Sequence, residues 1–277
     1  MLISILIRNL NEAPALETCL KALALQQVNF NYEIIVVDNE SDDNSVAVAK
    51  QYGCKVLTMS RQQFSYGGAI NFGINHCEAP LILILSAHVF LLNDNFLQQI
   101  PAYFDEENIV GLRFINALNT TAVTEVFNQP QQILTWQTEQ GDINKIWTKT
   151  TINHCAAIKK SIWQQFKYDE KVFYSEDKIW AYHVMKAGYA IKVNIPLFYE
   201  YHKPMTRSQL IQRRAQEEAA LMLVTGINYK NYPMDVMSKI KYALSQFKAA
   251  INNIKTYRKT TQRIKQILLQ QREHFRI

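Results

Sequence analysis

Residues 2–12 read LISILIRNLNE and residues 33–43 read EIIVVDNESDD. Each is a short apolar run, rich in β-branched residues, that stops abruptly in polar ones; this is how a strand buried on both faces reads when its last residues reach solvent. Between the two runs, Leu16, Leu20, Leu23 and Leu25 fall at near-helical spacing over 14–26, so the three segments form a β-α-β unit. The pattern continues outward with a polar helical stretch at 42–52, a strand near 55–59, a helix near 68–76 and an apolar strand at 81–85. Strands alternating with helices predict an α/β fold, a mainly parallel sheet flanked by helices on both faces.

Two regions depart from that rhythm. Residues 116–150 are rich in Asn, Thr and Gln with scattered aromatics such as Trp136 and Trp147, and read as loops and irregular strands. From Arg207 the chain reads as helical, and Met237, Ile240, Leu244, Phe247, Ile251 and Ile254 recur at alternating steps of three and four, an amphipathic helix with a basic opposite face. The expected organisation is an α/β domain over 1–206 and a helical basic extension over 207–277.

The 277 residues are 48% hydrophobic and 19% charged, enough to bury one large core with a smaller appended element. The net charge of +6 comes from the tail, because eleven Lys and Arg from Lys230 onward face only Asp235 and Glu273. Those basic residues are not interleaved with stacking aromatics in a recognised module, which argues against nucleic acid as a partner. An amphipathic basic helix suits packing on the α/β domain, pairing with a second copy as a homo-oligomer, or lying on an anionic membrane surface through 230–277. No basic leader precedes the first strand, and the apolar stretch from Pro80 to Leu92 is broken by His88 and too short to cross a bilayer, so neither a signal segment nor a transmembrane helix is expected. Cys19, Cys54, Cys77 and Cys155 lack metal-site or disulfide spacing and read as reduced, partly buried thiols of a cytoplasmic protein.

An open parallel sheet binds its ligand at the carboxyl ends of its strands. Arg8, Asn9, Asn11 and Glu12 follow the first strand and Asp38 ends the second. No glycine occurs before Gly53, so the glycine-rich turn of a dinucleotide site is absent. Asp38 is placed either to accept from a nucleobase or ribose or to cap the next helix. Gly67 and Gly68 fall where a helix begins, allowing close approach to backbone N–H groups. The strand at 81–85 leads into Ser86-Ala87-His88, and Glu176-Asp177 and His202 come later. Taken alone, Glu176 and Asp177 read equally as acidic residues at the positive end of a helix over 178–187.

In this order the segments resemble the family 2 glycosyltransferases with the GT-A fold over roughly residues 2–206. The Asn-Glu loop is matched by Arg8 to Glu12, the Cys-Leu helix by Cys19-Leu20, the EIIVVD strand by Glu33 to Asp38, and the Gly-Ser-Thr-Asp-like loop by Glu40 to Asp43. Phe64 to Asn71 and Leu85 to His88 resemble a subgroup reading Phe-Ser-Tyr-Gly-Arg-Ala-Leu-Asn and Leu-Ser-Ala-His, many of whose members make bacterial surface polysaccharides such as capsule or O-antigen.

The resemblance implies an inverting transfer of a sugar from a nucleotide-diphosphate sugar to a hydroxyl of a saccharide or lipid-linked saccharide, in the cytoplasm or peripherally on the inner face of the plasma membrane. Asp177 would be the base and Glu176 its positioning partner. The donor nucleotide would meet Arg8, Asn9, Asn11, Glu12, Asp38, Arg61, Gly67, Gly68, Asn71, Ser86 and Ala87. Gly68 stands where the subgroup has Arg, a loss for which Arg61 or Arg113 is placed to compensate, and His154 and Cys155 align with a strand that meets donor or acceptor sugar. The usual Asp-X-Asp motif is replaced by Ser86-Ala87-His88, so a divalent cation would be held by His88 and His202, and imidazole suits Mn2+ better than Mg2+. Two rivals are a non-catalytic glycan-binding relative, since Asp-X-Asp is lost, and a nucleotidyltransferase, which should carry a glycine-rich basic loop after the first strand.

Overall fold

Ile3, Ile5 and Ile7 are fully buried on one face of the first strand and Leu6 on the other, so the opening run feeds two hydrophobic cores at once. Leu81, Leu83 and Leu85 alternate with Ile82 and Ile84 in the same way. This period of two, apolar on both sides, is what a sheet covered by helices on both faces demands. The computed structural model describes residues 1–150, 154–172 and 174–225; the amphipathic helix expected at 237–254 and the basic residues from Lys230 onward lie outside the described residues.

Eleven strands are described: β1 (Ile3–Asn9), β2 (Tyr32–Asp38), β3 (Lys55–Thr58), β4 (Leu81–Ser86), β5 (Val89–Leu91), β6 (Ile109–Arg113), β7 (Ile115–Asn116), β8 (Gln132–Leu134), β9 (Cys155–Lys159), β10 (Ala190–Val193) and β11 (Phe198–Tyr201). The helices are α1 (Ala13–Ala24), α2 (Ser45–Gln51), α3 (Tyr66–Asn75), α4 (Phe96–Gln99), α5 (Thr120–Asn128), α6 (Ile143–Lys149), α7 (Lys160–Gln165), α8 (Glu176–Lys186) and α9 (Arg207–Thr225). Eight strands form one sheet in the order β3-β2-β1-β4-β9-β6-β10-β8, and β5-β11-β7 form a small second one. The large sheet is mainly parallel as expected, with β9 antiparallel to β4 and β6, and β8 antiparallel to β10.

Register decides which side chains meet. Pairing sets Asn9 opposite Asp38 and Arg8 opposite Ser86, so three strands deliver their polar ends to one edge. β11 pairs antiparallel with β5, and His202 N–H donates to the His88 carbonyl at 3.2 Å, bringing the backbones of those two residues together.

Residues 116–150 correct the loop expectation, because they hold α5, β8 and α6. The Asn119 side chain caps α5 by accepting from Ala122 N–H, while Ala122 and Val126 pack with Ile115. Ile146 and Trp147 of α6 are buried. Helix α9 groups with the sheet in a unit spanning Met1–Gly226, its Ala220 and Leu221 packing with Trp147 and Ile179. All four cysteines are buried and free. No helix among the described residues is long and apolar enough to cross a membrane.

Candidate active site

A cleft of about 440 Å³ opens at the carboxyl ends of β1 and β4. From the strand side its wall takes Arg8, Asn9, Glu12 and Ser86, and from the helix side Ser175, Glu176, Asp177 and Lys178. Six of the residues expected at the site therefore line one cleft: Arg8, Asn9, Glu12, Ser86, Glu176 and Asp177.

The acidic pair is placed by an unusual backbone. Ser175, immediately before α8, adopts φ 66°, ψ 23°, a left-handed conformation that costs a non-glycine residue about 1 kcal/mol or more. That turn starts α8 so that Glu176 and Asp177 are both buried at its first positions, where N–H groups and the helix dipole favour carboxylates. Arg8 Nη1 lies 3.7 Å from Glu176 Oε1, and the Arg8 guanidinium stands 5.0 Å over the Tyr66 ring.

Glu12 sits at the N-cap position of α1, yet its side chain makes no capping hydrogen bond and lines the cleft instead. Its Oε1 accepts from Lys203 Nζ at 2.8 Å and lies 2.8 Å from His88 Nε2. Burial opposes ionisation of Glu12, but His88 and Lys203 outweigh it and hold the carboxyl below its usual range. The His202 ring turns the other way, 2.7 Å from Glu200 and largely exposed.

Several expected donor contacts are occupied within the protein. Asp38 accepts from Asn9 Nδ2 at 2.9 Å, from Ser41 N–H at 2.9 Å and from Ser41 Oγ at 2.6 Å. The Asn11 side-chain oxygen accepts from Asp42 N–H at 2.7 Å, tying the loops after β1 and β2 together. Arg61 pairs with Asp42 and donates to the Asn39 and Glu40 carbonyls. Asn71 donates to the Tyr168 carbonyl and Glu170 and accepts from Trp163 Nε1 and Tyr168 N–H, which uses all four of its hydrogen-bonding positions under the loop that leads toward α8. At Gly67 an added Cβ would stand 2.3 Å from the Asp169 carbonyl oxygen, and at Gly68 2.8 Å from Ser65 Oγ, so both glycines admit neighbouring protein chain. Ala87 is fully buried, and Arg113 donates to the Lys149 carbonyl away from the cleft wall.

His154, which the resemblance places where donor or acceptor sugar is met, lines the cleft and stacks on Tyr201 with ring centres 3.9 Å apart and planes 4° apart. Burial, followed by the charges of Arg213, Arg8, Lys203 and His88, pushes the His154 imidazole down to about 3, so it is neutral near pH 7. Tyr66 and Tyr174, with ring centres 5.3 Å apart, add a second aromatic patch. Lys203 lies beside the recognised His202, a proximity that was a usable signal. Helix α9 brings Gln209, Arg213 and Glu217 to the same wall; in sequence they resemble any solvated helix face.

The sequence matches Glycosyl transferase family 2 over residues 4–166. It is 24% identical over 175 residues to the O-antigen chain rhamnosyltransferase WbaN of Salmonella anatum, covering 60% of this chain and 55% of that protein. It is also 22% identical over 248 residues, 83% of this chain and 75% of that protein, to a dolichyl N-acetyl-alpha-D-glucosaminyl phosphate 3-beta-D-2,3-diacetamido-2,3-dideoxy-beta-D-glucuronosyltransferase of Methanococcus voltae. Among solved structures, the mannosyltransferase PcManGT of Pyrobaculum calidifontis, in complex with GDP-Man and Mn2+, superposes with a TM-score of 0.60 at 15% identity, over 79% of this chain and 64% of that one. The chain thus spans little more than half the length of the rhamnosyltransferase. With the family match covering more than half of this sequence, and an α/β sheet of the GT-A kind beneath it, the chain belongs to glycosyl transferase family 2.

Proposed function

We propose that this protein transfers a sugar from a nucleoside diphosphate donor to an acceptor hydroxyl with inversion at the sugar carbon, and that Asp177 is the base. The observation that carries this reading is the cleft itself, which Asp177 and Glu176 line together with the polar ends of β1 and β4. In one displacement the acceptor oxygen bonds the sugar carbon and the bond to the diphosphate breaks, its electron pair leaving on the phosphate oxygen. The hydroxyl proton passes to Asp177. Arg8, Lys203 and Arg213 line the same cleft and offer positive charge to the departing diphosphate. Glu176, beside Arg8, fixes that guanidinium near the base.

The resemblance also implies a divalent cation. His88 Nε2 is buried with no aligned hydrogen-bond partner, next to the Glu12 carboxylate. One imidazole and one carboxylate fit a cation that takes its remaining ligands from a diphosphate and water. Among the described residues, no group of three or more His, Cys, Asp and Glu gathers to hold one unaided. Such a cation would neutralise charge on the leaving diphosphate, and an imidazole ligand favours Mn2+ over Mg2+.

The names of the rhamnosyltransferase and of the dolichyl-phosphate sugar transferase support a growing surface polysaccharide or a lipid-linked saccharide as acceptor. The basic residues of 230–277 suit an anionic membrane surface where such acceptors reside; equal co-sedimentation with anionic liposomes by the full chain and by a chain ending before Lys230 would remove that role.

Thermal shift against a panel of nucleotide sugars identifies the donor, because a ligand that binds only the folded state raises Tm. Hydrolysis or transfer of that donor is then compared between the wild type and Asp177→Asn. Equal turnover by both sinks the assignment of the base. Donor binding without turnover by either favours a glycan-binding relative, and pyrophosphate release from a nucleoside triphosphate favours a nucleotidyltransferase.

A further inference from the structure

Strand β4 ends at Ser86 and leads into Ala87-His88, so its end brings no carboxylate to the cleft. A carboxylate nevertheless stands beside His88, contributed from 76 positions earlier in the chain by the loop between β1 and α1. Glu12 holds the N-cap position of α1, where the shorter Ser, Thr, Asn or Asp side chains cap, and its own side chain makes no capping bond. Both of its ionic partners, Lys203 and His88, address Oε1. Among the described residues, no hydrogen bond or ion pair reaches Oε2, and Glu12 lines the cleft. The Nε2 of His88 lies within one ligand-to-ligand spacing of Oε1, is shielded from solvent and has no aligned hydrogen-bond partner.

We infer that Glu12 and His88 form the protein half of a divalent-cation site, with Glu12 replacing in space the acidic residue that the end of β4 lacks. The inference rests on the nucleoside diphosphate reading above, since the diphosphate supplies the other ligands. His88 contributes a borderline-soft nitrogen beside a hard oxygen, a pair that prefers Mn2+ to Mg2+. Lys203, bonded to the same carboxylate oxygen, balances its charge when no cation is bound and faces the cleft where a phosphate would lie. His202 takes no part, because its ring is paired with Glu200 and exposed.

Isothermal titration of the full chain with UDP, GDP and dTDP, each in Mn2+, in Mg2+ and in EDTA, tests the site without relying on turnover. The wild type should bind its nucleotide at least about tenfold more tightly in Mn2+ than in EDTA, the scale on which metal-site residues act. Glu12→Gln should bring that ratio close to one, and His88→Gln should lower it and erase the preference for Mn2+ over Mg2+. His202→Ala should keep the wild-type ratio. If Glu12→Gln does not fold, Glu12→Asp, which draws the carboxylate back by one methylene, should show a reduced ratio. A wild-type ratio in the folded Glu12 variant overturns the site, as does a wild-type protein that binds nucleotide equally well in EDTA, and both results leave the donor reading standing. Failure to bind any of the three nucleotides under any condition overturns both.

Discussion

The two walls of the cleft use their polar groups differently. At the strand-end wall, Asn9 lines the cleft and bonds back to Asp38 and Ser41, and the neighbouring Asn11 reaches across to Asp42. At the helix wall, a left-handed Ser175 brings two buried carboxylates side by side, with Arg8, Lys178, Lys203 and Arg213 around them. The first arrangement ties most of its polar groups to one another and fixes geometry, leaving the buried Asn9 Oδ1 without a partner; the second gathers charge about the space a substrate would fill. Buried polar networks hold a frame when complete, whereas paired like charges raise the energy of a site and belong where chemistry needs them.

Asp177→Asn should produce the largest effect, lowering kcat about a thousandfold, since a positioned base contributes some 10²–10⁴. Nucleotide affinity measured by titration should stay within about threefold, because the base meets the acceptor and not the donor. A comparable fall in nucleotide affinity would break the division between the walls. Under the loop that leads to the helix wall the loss is instead in stability: Asn71→Ala strands the buried Trp163 indole N–H and the Tyr168 N–H, each costing about 1–3 kcal/mol. Urea unfolding should show a loss of about 3 kcal/mol, with kcat falling secondarily because the 168–170 loop precedes α8.

The strand-end wall was legible in sequence because its signals are local. Ile3, Ile5 and Ile7 alternate with polar or opposite-face residues, and the polar residues begin where burial ends, so both the strand and its active edge can be read from one window. Which polar residues bond each other was not legible, since Asn9 meets Asp38 only through the register of β1 against β2. Asn71, read as a donor contact, proved to support a loop almost a hundred positions away. Glu176 and Asp177 were found through their order among the motifs, but the left-handed Ser175 that places them carries no composition signal. The helices α5 and α6 were missed because each is a short element inside an Asn- and Thr-rich segment, held by a side-chain cap or by a few buried residues such as Ile146 and Trp147. Arg213 and Glu217 were invisible for a similar reason: an i, i+4 ion pair on a helix reads the same whether it faces water or a cleft.

His154 sharpens the comparison by a smaller amount. The unfolded chain takes up a proton at the ordinary His value of 6.5, while burial first and then Arg213, Arg8, Lys203 and His88 hold the folded residue near 3. Between those values the unfolded state carries the extra proton, so stability falls as pH is lowered from 6.5 toward 3 and is fully present above that window. The slope from this residue is at most about 1.4 kcal/mol per pH unit. His154→Phe keeps an aromatic face for Tyr201 and removes the titration, so its stability curve should be flatter than the wild type's across that window and parallel to it above pH 7. Parallel curves throughout would mean that His154 gains a proton in the fold as readily as in the unfolded chain, and that the helix-wall cations do not reach it.

The smallest effect is expected at Arg61, a candidate donor contact by sequence. Its guanidinium is exposed, paired with Asp42 and bonded to the Asn39 and Glu40 carbonyls, so it ties the segment after β3 to the loop after β2. Exposed pairs of this kind contribute little because water solvates both partners nearly as well. Arg61→Ala should therefore leave nucleotide Kd within about threefold of the wild type in the same titration that reads Glu12→Gln. A loss approaching that of Glu12→Gln would show that Arg61 releases Asp42 to meet the donor. The strand-end wall would then be only provisionally closed in the absence of ligand, and Gly68, where the subgroup carries Arg, would have its compensating charge at Arg61.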